Sequence, residues 1–237
     1  MDRREMFGVV GAVGAGLGLG AAAKADDHGA KPGGNAGMMA PVGGLHAHFC
    51  GIHIAKKNPK FQLIAQHYCG PLNEDTHQCL LFDSCEKNAK LLGVEYIISD
   101  KLYQGLSKEE KKYWHPHTYE VLAGGLTAPS MKADDEMKFM KALLTTWGKS
   151  WHTWPDPTTA VPIGEPLLMW AVTGDGQIDD KIVAARDKQF NVSVDKIREQ
   201  RGKEIRLEVP NVSLPKSIDD VGRQWTDTGD DKPTRKP

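Results

Sequence analysis

The chain has no surplus of charge of either sign: 30 basic side chains meet 31 acidic ones, the net charge is -1, and no Lys/Arg block stands out from its neighbours. Nucleic acid and anionic membrane surfaces are therefore not expected as partners. There is no Gly-x-Ser-x-Gly elbow, phosphate loop, dinucleotide fingerprint or Cys-x-x-Cys-His motif, which argues against the common hydrolase, nucleotide-binding and c-type cytochrome classes. No apolar run is long and glycine-poor enough for a transmembrane span, and no internal repeat is visible. What is present is ordinary for a soluble protein, with 40% hydrophobic and 26% charged residues in 237. That length suits a single domain with a real core.

The first 25 residues read as an export signal. Arg3-Arg4 precede Met6-Phe7, a Gly/Ala-rich stretch runs from Gly8 to Ala23, and Ala23-Lys24-Ala25 is a small-residue cleavage site. The paired arginines favour the twin-arginine export machinery, and with it an exported protein of the periplasm or extracellular space. Residues 26–44 lack periodicity and read as a flexible leader, residues 45–221 as the globular domain, and residues 222–237 as a disordered polar tail.

Within the domain, Leu45 to Ile54 alternates like a strand, with His46, His48, Cys50, Ile52 and Ile54 on one face and His53 on the other. Leu63 to Cys69 and Gln78 to Asp83 read as the arms of a β-hairpin, and Ala89 to Ser99 as a nearly continuous apolar strand. Helices are expected from Asp100 to Leu106, after the Ser107 cap and from Asp134 to Trp147, the last ending at Gly148. His115 to Leu122, Trp151 to Trp154 and Leu167 to Val172 read as strands, and Asp180 to Lys188 and Val194 to Arg201 as exposed helices. The mixture lacks regular βαβ alternation, so the expected class is α+β, a largely antiparallel sheet with packed helices.

Eight of the nine histidines fall between His46 and His152. In an odd-to-odd register of the hairpin, His67, Cys69, His77 and Cys79 share one face. A flat Cys2His2 site does not fit: a metal among four such side chains would sit ~4.3 Å from each Cβ in the sheet plane, beyond a thiolate with a ~2.3 Å metal bond. Imidazoles converging from several strands fit better, and the candidate ligands are His67 or His77 with His115, His117 and His152. Such a set suits zinc, copper or iron. Glu120 lies out of phase with His117 on a regular strand and joins only through a bulge.

Several motifs together resemble one family: His67-Tyr68-Cys69, Leu72-Asn73-Glu74-Asp75, Gln78-Cys79-Leu80, Gly93-Val94-Glu95-Tyr96-Ile97-Ile98-Ser99, Trp114-His115 with His117, and Gly148-Lys149 with Trp151-His152. From about Leu45 to Val172 the chain is similar to the oil-body-associated proteins, a family of unknown biochemical function. The resemblance implies a link to seed lipid droplets and attaches no catalytic mechanism. Four cysteines allow three pairings; Cys69 and Cys79 could bridge across the hairpin, although their flanking histidines favour plain thiols, and the resemblance makes Cys50 with Cys85 the preferred disulfide, worth about 3 to 4 kcal/mol on the chain-entropy model. Two functional readings follow: an exported protein of unknown activity that binds a metal through its histidines, or a non-catalytic lipid-associated scaffold. A small-molecule enzyme would instead show a deep pocket bordered by His152 and Tyr119.

Overall fold

The computed structural model describes residues 40–208, with side chains to residue 205. The twin-arginine-like segment, most of the leader and the tail at 222–237 lie outside the described residues. Residues 40–43, expected within the leader, form the short helix α1 (Ala40–Gly43).

Six antiparallel strands close into a barrel: β1 (Ala47–Ala55), β2 (Asn58–Asn73), β3 (Thr76–Phe82), β4 (Leu91–Ser99), β6 (Thr146–His152) and β7 (Leu167–Trp170). Their order is β4-β3-β2-β1-β7-β6, and pairing of β4 with β6 completes the ring. The two-residue strand β5 (His115–Pro116) takes over from β7 on the second edge of β6, opposite Trp147 and Gly148. Closure leaves the long apolar run of β4 paired on both sides, as its lack of alternation requires.

The helices are α2 (Asp100–Gln104), α3 (Lys108–Lys111), α4 (Thr118–Leu122), α5 (Ala133–Leu143), α6 (Asp180–Phe190) and α7 (Val194–Glu208). Ser107 caps α3 as expected, its hydroxyl accepting from the Glu110 amide at 3.2 Å. Two expected elements are corrected. His115 to Leu122 is not one strand, because the chain turns into α4 directly after Pro116. The α5 helix stops at Leu143, so Trp147 and Gly148 belong to β6 rather than to a helix end.

The hairpin register is odd to odd, with Cys69 opposite Cys79 and His67 opposite Leu81. Alternation then puts Phe49, Gly51 and His53 of β1, Ala65, His67 and Cys69 of β2, Cys79 and Leu81 of β3, Glu95 and Ile97 of β4, and Gly148, Ser150 and His152 of β6 on the inner face. One part of that face is apolar. Phe49, Cys69, Cys79, Leu81 and Ile97 pack against Val121 and Leu122 of α4 and Phe139, Met140 and Leu143 of α5. Each large side chain buried there contributes about 1.5–3 kcal/mol.

The disulfide is Cys69–Cys79, and Cys50 and Cys85 are free thiols. This corrects the Cys50–Cys85 pairing: the hairpin register sets its own two cysteines directly opposite each other, with Cα atoms 4.0 Å apart. Cys50 is instead buried against Gln66, and Cys85 sits at the surface 3.6 Å from His48 Nε2. The last two helices are also more firmly attached than their exposed faces imply. Arg186 of α6 is buried and donates to the carbonyls of Gly125 (2.7 Å) and Gly124 (3.0 Å). Arg201 of α7 donates to those of Val121 (2.8 Å) and Leu126 (2.7 Å). Both arginines satisfy the backbone just after α4, which fixes that short helix over the barrel.

Candidate metal centre

A carboxylate inside an apolar strand is the centre of the site. Glu95 points into the barrel from β4 and is 1% exposed. Among the described residues no lysine or arginine pairs with it, and four imidazoles surround it instead. Oxygen Oε2 lies 3.1 Å from His67 Nε2 and 3.5 Å from His53 Nε2. Oxygen Oε1 lies 3.2 Å from His117 Nε2 and 3.6 Å from His115 Nε2. Ser150, facing Glu95 across the β4–β6 pair, donates its hydroxyl to Oε2 at 2.6 Å and fixes the rotation of the carboxylate.

Each donor arrives by a simple local rule. His53 and His67 are inward residues of adjacent strands, and His115 is held by the β5–β6 pairing opposite Gly148. His117 starts α4, and one helical turn brings Glu120 back beside it, with Glu120 Oε1 3.8 Å from His117 Nε2. The helix does what a regular strand could not. Gly148 is required here: a Cβ at this position would lie 2.6 Å from His115 Nε2 and 2.7 Å from His117 Nε2, and closer still to Glu95 Oε1.

The outer nitrogens of His53, His67 and His117 have partners, whereas the buried Nδ1 of His115 has no hydrogen-bond partner among the described residues. Nδ1 of His67 donates to the Ala65 carbonyl at 3.1 Å. Nδ1 of His117 donates to Thr146 Oγ1 at 2.7 Å, because the threonine proton goes to the Leu143 carbonyl, also at 2.7 Å. His53 Nδ1 lies 3.0 Å from His152 Nε2. For His67 and His117 the neutral ring must therefore aim a bare Nε2 lone pair at Glu95. At His117 that lone pair faces the carboxylate, which is repulsive unless a cation lies between them; at His67 it can also accept from His53 Nε2, 3.0 Å away. Burial disfavours protonation of two of the rings, pushing His53 down to about 4 and lowering His117 although Glu95 lies beside both. Burial would also raise Glu95, but its contacts with His115, His117, His53 and His67 overcome it and hold the carboxyl well below its ordinary range. Glu120 moves the other way: burial and the nearby Glu95 charge push it well above the usual value. A buried anion ringed by four imidazoles, two of them with the far nitrogen bound to an oxygen acceptor, is a set of donors that could hold a metal ion.

Two sets of three donors, His53–His67–Glu95 and Glu95–His115–His117, each lie within 4.8 Å of one another. Of the expected ligands, the structure brings His67, His115 and His117 together. His152 stands behind His53, with its Nε2 3.0 Å from His53 Nδ1, so its place is that of a supporting residue. His77 is not in either set: it pairs opposite Pro71, beyond the Cys69–Cys79 bridge from His67. His53 and Glu95 were missed by sequence reasoning. The signal for Glu95 was its position as the one charged residue in Leu91–Ser99. The cavity of about 610 Å³ beside Tyr119 is lined by Asp175, Arg186 and Arg198 and excludes His152.

Residues 39–205 match a family described as a protein of unknown function (DUF1264). The chain belongs to this family. It is 36% identical over 202 residues to oil body-associated protein 1B of Arabidopsis thaliana, covering 78% of this chain and 83% of that protein. It is 35% identical over 207 residues to oil body-associated protein 1A of Zea mays, with 79% and 87% covered, and 31% identical over 192 residues to protein 2C of Arabidopsis thaliana, with 80% and 78% covered. No solved structure matches the chain. These relatives overturn the expectation of an exported protein of the periplasm or extracellular space, since their names tie them to oil bodies. No helix among the described residues is long and apolar enough to cross a membrane.

Proposed function

We propose that this DUF1264 protein associates with the surface of lipid storage bodies as a non-catalytic scaffold. The observation that carries this reading is the similarity to oil body-associated proteins over more than four-fifths of the length of two of them. The outer face of β2, β3 and β4 supports it. Tyr68, Leu80, Phe82, Val94 and Tyr96 line two shallow apolar grooves of about 280 and 200 Å³ there, and Leu91 and Tyr96 are 44% and 43% exposed. An apolar sheet face of this kind suits a lipid monolayer, where side chains gain by leaving water. The test is flotation of the full chain with isolated lipid droplets. Recovery in the floating layer, reduced several-fold by Leu91→Asp with Tyr96→Asp, is the expected result; a chain that stays wholly in the aqueous fraction contradicts the reading.

A second reading concerns the barrel interior: the protein binds a divalent transition metal through Glu95 and its imidazoles. The geometry of His67 and His117, each with Nδ1 bound to an acceptor and Nε2 facing a buried carboxylate, favours it. Imidazole and carboxylate donors suit zinc, copper or iron. Elemental analysis of chain purified without chelators tests it, with metal expected in the wild type and lost in Glu95→Ala.

A further inference from the structure

We propose that the barrel holds two divalent transition-metal ions bridged by the Glu95 carboxylate, one bound by His53, His67 and Oε2, the other by His115, His117 and Oε1. The inference rests on the metal-binding reading above and adds the number of ions and their division.

The first observation is the partition of donors. Each carboxylate oxygen has its own two imidazoles, so Glu95 belongs to both donor sets and no imidazole does. One ion served by a single carboxylate has no need of four imidazoles arranged two by two. A carboxylate whose two oxygens face separate nitrogen pairs is the usual bridge of a two-metal site, where the ions lie roughly 3.5–4 Å apart.

The second observation is the size of the first set. Its three edges are 3.0 Å between His53 and His67 Nε2, 3.1 Å from His67 Nε2 to Oε2 and 3.5 Å from His53 Nε2 to Oε2. Ligands bound tetrahedrally at about 2.1 Å stand roughly 3.4 Å apart. The triangle is thus already the face of a coordination sphere.

The third observation concerns the second set. The point where a Gly148 Cβ would stand is 2.6 Å from His115 Nε2 and 2.7 Å from His117 Nε2, with Glu95 Oε1 nearer still. That point is only a bond length from Gly148 Cα and is no place for an ion; it shows that the three donor atoms crowd together beside a residue without a Cβ, and that any side chain there would push them apart. Glu120, close to His117 Nε2 at 3.8 Å, borders this second position.

The experiment is zinc content per chain, measured by elemental analysis after the full chain is equilibrated with zinc and freed of excess. Two zinc ions per chain are expected. Gly148→Ala, whose Cβ would displace the donor atoms of the second set, lowers the content to one, and so does His117→Ala, which removes a donor without adding bulk. Far-ultraviolet dichroism identifies which of the two variants are folded, and the count is read on those. One zinc per chain in the wild type overturns the two-ion proposal and leaves the metal-binding reading standing. No zinc overturns both, and two zinc ions retained in folded His117→Ala overturn the division of donors.

Discussion

The two parts of the barrel interior obey the same rule of alternation and carry opposite chemistry. Phe49, Cys69, Cys79, Leu81 and Ile97 meet α5 and the end of α4 in a dry apolar cluster, while His53, His67, Glu95, Ser150 and His152, two strand positions or fewer from them, meet His115, His117 and Glu120. In the first, fit to the neighbouring helices sets the energy, and one apolar residue can replace another at modest cost. In the second, every polar atom needs a named partner, because a buried charge without one costs several kcal/mol. The interior is therefore a structural half and a ligand half held in one sheet, and each predicts its own response to substitution.

The largest effect is expected at Glu95. Glu95→Ala removes the anion on which four imidazoles converge, so metal content should fall to near zero by elemental analysis. Truncating one member of a buried charge network costs about 3–5 kcal/mol, which urea unfolding would read as a lower midpoint. In the apolar half, Leu81→Ala should cost about 2–5 kcal/mol by the same unfolding assay while leaving metal content unchanged. If Leu81→Ala emptied the site as Glu95→Ala does, the separation of the two halves would be wrong.

Smaller effects sharpen the boundary. Cys69→Ser with Cys79→Ser opens a bridge with a sequence separation of 10 and should cost about 2–3 kcal/mol, again without loss of metal. The two free thiols should part on alkylation at pH 8, followed by mass mapping. Exposed Cys85 reacts, while Cys50, pushed up to about 12 by burial, stays a protonated thiol and is labelled only after unfolding. The smallest effect is at the surface. The Arg198 guanidinium holds Asp175 below its ordinary value, so this pair contributes above pH 3.8 and its contribution fades as pH falls through the lowered folded value. Being half exposed, it should be worth less than ~1 kcal/mol, and Arg198→Ala should change stability at pH 7 by no more than that.

The comparison also shows what a sequence can reveal. Periodicity identified the hairpin and the antiparallel character of the sheet, because residues that share a face are fixed by a period of two; the odd-to-odd register was only a condition, which the structure meets. It did not reveal closure, which depends on β4 finding β6 across some fifty residues. His53 was placed on the opposite face from Cys50 and Ile52, which is correct, but nothing local says that its face is the interior. Glu120 was out of phase with His117 only because His115 to Leu122 was read as a strand; α4 converts that spacing into adjacency. Gly148 read as a helix end because the amphipathic pattern of α5 continues through Trp147, while its role depends on Glu95 and His115, far away in sequence.

The central claim is that the ligand half is a metal centre formed by imidazoles and one carboxylate. Anomalous diffraction at the metal absorption edge, from crystals of zinc-loaded full chain, tests it most directly. The account predicts two anomalous peaks, one on each side of the Glu95 carboxylate, with the Nε2 atoms of His53 and His67 about 2.1 Å from one and those of His115 and His117 about 2.1 Å from the other. Zinc found only at surface side chains, with the Glu95 carboxylate bonded to protein and water alone, would contradict it.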